Sequence, residues 1–137
     1  FRFCRDKTKG KIMKVEIPNG DLVDKITILK IKQLNVMNEE KLQNIKLEYQ
    51  TLKPLLEEIG MSENDRLFTD LLDVNEKLWR IEDDLRVLEK DKEFGNTFVN
   101  LARAVYFTND ERAEIKKKIN LKTGSKLVEE KDYVEYK

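Results

Sequence analysis

Apolar positions recur along most of the chain at steps of three and four residues, the period of an α-helix. The pattern is clearest from about Glu63 to Asp91, where Leu67, Leu71, Val74, Leu78, Ile81, Leu85 and Leu88 alternate steps of 4 and 3. A helix of that length is on the order of 40 Å long, too long to be enclosed in a compact body of this size. From about Asn38 to Ile59 the residues Leu42, Ile45, Tyr49, Leu52, Leu56 and Ile59 form a second seam of coiled-coil type. Pro54 lies off that seam and predicts a kink or a loosened last turn, and Gly60 predicts the stop. Residues 21–36 read as a helix apolar over most of its circumference, begun by the turn Pro18-Asn19-Gly20 and capped by Asp21. Residues 96–122 read as the last helix, with a capping box at Thr108-Asn109-Asp110-Glu111 that suggests a break. The turn at 92–96 sends it back along the third helix.

The ends of the chain read differently. Residues 11–17 alternate weakly and predict a short extended segment. Lys126–Lys137 forms a charged tail with Leu127, Val128 and Tyr133 as apolar anchors. Met13 resembles a natural start, so residues 1–12 read as an upstream extension or an artificial addition and residues 13–137 as a single helical domain. The expected fold is all-α: an elongated antiparallel bundle or coiled-coil hairpin of three to four long helices. Helix one carries two apolar faces, and three or four helices from one chain would leave one of them wet, which predicts a homodimer.

Composition narrows the chemistry. The 137 residues hold no His and one Cys, which excludes His-based nucleophile systems, His-ligated zinc, an internal disulfide and Cys-rich metal sites. A lone Cys4 suits a reducing compartment, so the expected location is cytoplasmic. The charged fraction is 39%, yet 27 basic residues balance 27 acidic ones, leaving no net field for a polyanion. Charge is instead blocked: residues 57–84 carry ten acids against three bases, and residues 108–126 six bases against three acids. No nucleic-acid module, Gly-rich phosphate loop or membrane span is visible, and no cofactor or metal is expected.

Candidate chemistry comes from polar residues on apolar arcs. On a helical wheel Leu78 centres an apolar arc of roughly 200° that also contains Asn75, Glu82, Arg86 and Glu89. On the last helix Asn109, Arg112 and Lys116 fall among Phe98, Leu101, Val105 and Ile119. A hairpin turning near residue 94 sets level 75 against 112 and level 82 against 105, so Asn75, Glu82, Asn109 and Arg112 are expected to form a buried polar network. Helix one adds Lys30 and Gln33 on its main apolar side, and Asp24 on the other. Buried charges must be paired, so such a layer serves either to fix helix register or to bind something. As a site, Arg112, Lys116, Asn109 and Arg86 would hold an anion, with Glu82 as acid/base or metal ligand. A solvated face remains the third possibility. The four inward carboxylates of a helical nucleotide pyrophosphohydrolase are not matched, because Asp70 and Asp73 point outward and Glu111 and Glu114 face no partners.

Four segments carry a family resemblance: NGDLVDKITIL at 19–29, NEKLWRIEDDLR at 75–86, LARAVYFTNDERAEIKKKIN at 101–120 and GSKLVEEK at 124–131. Together they resemble a family of small uncharacterised bacterial, phage and metagenomic proteins, a domain of unknown function. The resemblance covers about residues 15–133 and implies a stand-alone cytoplasmic helical protein with no assigned activity. The leading expectation is therefore an oligomeric, non-enzymatic interaction or scaffold module. The alternative is a binding protein or enzyme for a small anionic or phosphorylated metabolite.

Overall fold

The structure, a computed structural model, describes residues 12–137. Cys4 and all but the last residue of the segment read as an upstream extension lie outside the described residues. Among the described residues five helical segments follow one another: α1 (Asn19–Asn35), α2 (Glu39–Leu52), α3 (Leu55–Glu58), α4 (Arg66–Lys90) and α5 (Asn96–Lys122). No strand occurs among the described residues, and the fold is an all-α bundle. Of the weakly alternating segment before Pro18, residues 12–17 form an irregular, exposed lead-in with no strand partner among the described residues.

The long hairpin α4–α5 is the frame. Asp65, at the N-cap of α4, meets Lys122 in the last turn of α5 at 2.8 Å. Ten residues further along each helix, Asn75 and Arg112 reach a common partner, Asp24 of α1. α1 packs against α2, α4 and α5 together, over only the half of the hairpin near α5's C-terminus. Its apolar residues Leu22, Val23, Ile26, Leu29 and Ile31 are all buried. The expected wet face of helix one is thus covered within one chain, which removes that argument for a dimer; of its large apolar residues only Leu34, at its end, is exposed.

The core gathers Val23 and Ile26 of α1, Leu56 of α3, Met61 of the loop that follows it, Phe68 and Leu71 of α4, and Ile119 of α5. Tyr49, Leu52 and Ile59 of the second seam pack against it, although α2 itself buries no residue fully. Pro54 does more than kink: the helix stops at Leu52 and restarts as the single turn α3. Beyond Ile81 the seam of α4 loses its third helix, and Leu85 and Leu88 are only half-buried.

Two terminus predictions are corrected. α5 is continuous through Thr108, which is buried, because the packing of α1 and α4 against this stretch outweighs a local capping preference. α1 begins at Asn19 with Pro18 in the cap position, so Asp21 lies inside the first turn and caps nothing. Three helices end alike. Gly60, Lys92 and Gly124 take left-handed conformations (φ +79°, +58° and +65°). In each, the next residue's N–H returns to the carbonyl five positions back: Met61 to Leu56, Glu93 to Leu88, and Ser125 to Asn120. This paired closure satisfies the last carbonyls of a helix.

Candidate functional site

The start of α1 has no side-chain cap of its own. Its free N–H groups are served instead by the end of α5. Gly20 N donates to Asn120 Oδ1 at 2.6 Å, and Asn19 N donates to Ser125 Oγ at 3.0 Å. Asn19 Nδ2 adds a bond to Thr123 Oγ1 at 2.9 Å. The closure at Gly124 puts Ser125 where this bond needs it, so the tight turn after α5 builds the socket for α1. Gly20 is required by contact: a Cβ there would lie 2.5 Å from the carbonyl oxygen of Lys116.

One turn into α1, Asp24 is buried and its carboxylate receives three hydrogen bonds. Arg112 donates through Nε to Oδ1 at 2.9 Å and through Nη2 to Oδ2 at 2.5 Å, a two-pronged guanidinium–carboxylate pair. Asn75 Nδ2 donates to Asp24 Oδ1 and to Thr27 Oγ1, each at 2.9 Å, and Thr27 closes the set by donating to the Asp24 carbonyl at 2.7 Å. The hydrogen bond with Asp24 pushes the Arg112 pKa up, against the downward pull of burial, so the guanidinium stays charged at any pH the fold survives.

Lys116, one turn from Arg112, is 13% exposed and lies 2.9 Å from Asp21 Oδ1 and 3.4 Å from Glu129 Oε1. Burial pulls its pKa down, but the bond with Asp21 and the charges of Asp24 and Glu129 outweigh that and leave it raised. Glu129 belongs to the tail, which doubles back along α5. Glu130 meets Lys117 at 3.1 Å, the Tyr136 hydroxyl donates to Asp110, and the Tyr136 ring packs edge-on against Tyr106 and Phe107. The expected anchors Leu127, Val128 and Tyr133 are exposed; Tyr136 is the aromatic that seats the tail.

The predicted polar residues therefore separate. Asn75 and Arg112 meet on Asp24, a residue the wheel placed on the opposite face of helix one from Lys30 and Gln33. Glu82 and Asn109 are exposed and stand outside that cluster, since α1 ends before it can cover level 82 and Asn109 lies to one side of the contact. Arg86 is exposed too, far from Arg112 along the hairpin, so it cannot join Arg112 and Lys116 around one anion. Asn109, Arg112 and Lys116 do line a common cavity of about 200 Å³, closed from the tail side by Lys131 and Tyr133. Glu82 and Arg86 instead line an open groove of about 390 Å³ with Glu89 and the apolar Leu85, Phe98, Ala102 and Val105.

A second polar cluster was missed. Glu63, before α4, accepts from Lys30 Nζ at 2.6 Å and from the Tyr49 hydroxyl, with Lys53 at 3.8 Å. Burial pushes the Glu63 carboxyl up, but the bonds from Lys30 and Tyr49 prevail and hold it below its usual range. Burial and the same carboxylate raise the Tyr49 phenol well above its usual value. Lys30 on an apolar face was the available signal; its partner sits in a loop, where periodicity gives no position. No group of three or more metal-ligating side chains occurs among the described residues. None of their helices is long and apolar enough to cross a membrane.

This is an all-α protein in which one buried aspartate ties three helices together. Residues 13–136 match the sequence profile described as Family of unknown function (DUF6165), and the chain belongs to that family. No curated protein and no solved structure matches it.

Proposed function

We propose that this protein is a non-enzymatic, cytoplasmic interaction module, folded as one helical unit over residues 13–137, whose working surface is the outer half of the α4–α5 hairpin. The observation that carries this reading is the groove lined by Leu85, Phe98, Ala102 and Val105 with Glu82, Arg86 and Glu89. The ionic cluster around Asp24 supports it from the other side: Arg112 and Asn75 are committed to holding α1, which is a structural task. Beyond Ile81 only two helices face each other, and a two-helix contact with one apolar seam is marginal in water.

The occupant that fits best is a second copy. Glu82 and Arg86 form no ion pair with each other among the described residues. A two-fold axis between levels 82 and 86 sets each copy's Arg86 against the other's Glu82, so one pairing serves twice, as an isologous interface requires. The four outer helices then enclose one apolar seam. Light scattering tests this: the full chain is expected to run as a dimer at micromolar concentration, and Ala102→Glu as a folded monomer of unchanged helicity. A wild-type monomer at that concentration overturns the dimer, and a dimer in both proteins moves the interface elsewhere.

A second reading, a site for a small anion, is favoured by Asn109, Arg112 and Lys116 sharing one cavity.

A further inference from the structure

The cavity of about 200 Å³ at the mid-length of α5 brings three cationic side chains together: Arg112 and Lys116 from the helix and Lys131 from the tail. Asn109 and Tyr133 line it as well. Asp24 engages Arg112 through Nε and Nη2, and Asp21 engages Lys116 at 2.9 Å. The remaining acid is Glu129, held more loosely, 3.4 Å from Lys116 and 3.8 Å from Lys131. Three positive groups thus face three negative ones while Glu129 is in place, and three face two when it leaves. Cavities for drug-sized ligands run from about 300 Å³ upward, so this one suits a single small head group.

We propose that this cavity is a phosphate-monoester site, and that Glu129, beside it, is the chain's own anion competing for two of its cations, Lys116 and Lys131. This deepens the anion reading above and is independent of the hairpin groove. A phosphate monoester brings close to two negative charges and three acceptor oxygens where Glu129 brings one charge and two oxygens, so it competes well for Lys116 and Lys131. Asn109 and Tyr133 supply neutral donors beside them. Binding turns the Glu129 side chain out and leaves Lys131 and Tyr133 in place over the phosphate. Tyr136 keeps the end of the tail seated through Asp110, Tyr106 and Phe107. The tail is then a tethered competitor that sets the affinity and reports occupancy.

The test is a titration of isotope-labelled full-length chain with inorganic phosphate, followed by amide NMR at constant ionic strength in chloride. Saturable shifts are expected at Asn109, Arg112, Lys116 and Lys131. Glu129→Gln is expected to bind about tenfold tighter, because removing the competitor raises the binding-competent fraction. Lys131→Gln is expected to bind at least about tenfold weaker; both positions are exposed, and a thermal melt checks that the variants fold. A parallel arm uses phosphatidylcholine vesicles with and without phosphatidic acid: binding there in addition assigns the monoester to a lipid head group, and binding of free phosphate alone to a soluble ligand. Equal phosphate affinity in wild type and Glu129→Gln overturns the proposal. So do non-saturating shifts spread over surface lysines.

Discussion

At the scale of single residues, the contacts of α1 explain why short polar and small side chains sit among its apolar ones. Gly20 lets the helix backbone come down onto the carbonyl of Lys116, and Asp24 collects Arg112 and Asn75. Gly20→Ala adds helix propensity of about 1 kcal/mol, but its methyl meets backbone rather than a movable side-chain end. Net destabilisation of roughly 1–3 kcal/mol is expected, read as a lower urea midpoint with unchanged slope. Arg112→Ala leaves a buried carboxylate hydrogen-bonded by the neutral amide of Asn75 alone, with the Lys116 charge acting on it without a direct bond. A loss of about 3 kcal/mol is expected in the same assay, with Asp24→Asn/Arg112→Ala recovering part of it.

Asn75 and Arg112 were legible because a wheel and a turn position fix both angle and level. Glu82 passed the same test and is exposed all the same. A wheel gives the direction in which a side chain points along α4, but not where the third helix stops covering it. Asp24 escaped assignment to the cluster because α1 is apolar nearly all round, so its own pattern cannot say which neighbour meets which face. Gly20 and Ser125 are a socket built from both ends of the chain, and no local pattern links residues a hundred positions apart.

At the scale of elements, helix ends carry much of the local specification. Gly60 and Gly124 hold left-handed positions that glycine takes without strain, while Lys92 holds the same position with a side chain. Lys92→Gly is expected to stabilise the hairpin by about 1 kcal/mol, seen as a higher melting temperature. The loop between α3 and α4 is fixed by ionic contacts instead. Because Glu63 is held below its usual range, its contribution is complete above the unfolded carboxylate pKa and is lost as pH falls through the folded one. The melting temperature should therefore drop in acid, and less steeply in Glu63→Gln. Some slope will remain, since the bond from Lys122 holds Asp65 low as well. The element plan was largely open to sequence reading, because long strict seams are hard to satisfy otherwise. The break at Pro54 and the continuity through Thr108 were not, as local signals there compete with packing that only the assembled bundle supplies.

At the scale of the whole molecule, the protein divides into a half clamped by α1 and a half left as a bare hairpin. All the fully buried residues lie in the first; the second carries the groove and exposed Val87, Phe94 and Val99. That division makes a prediction about dynamics that is separate from shape. Amides from about 82 to 105 should exchange faster than those of α1 in an isolated chain, because fewer contacts hold them closed. If a second copy completes the outer half, that difference must depend on concentration, since association protects only what it covers. Hydrogen exchange followed by mass spectrometry across a nanomolar-to-micromolar series measures this directly. Peptides spanning 82–105 are expected to gain protection as concentration rises while those of α1 stay constant. Protection independent of concentration throughout the hairpin would mean that no second copy covers the outer half.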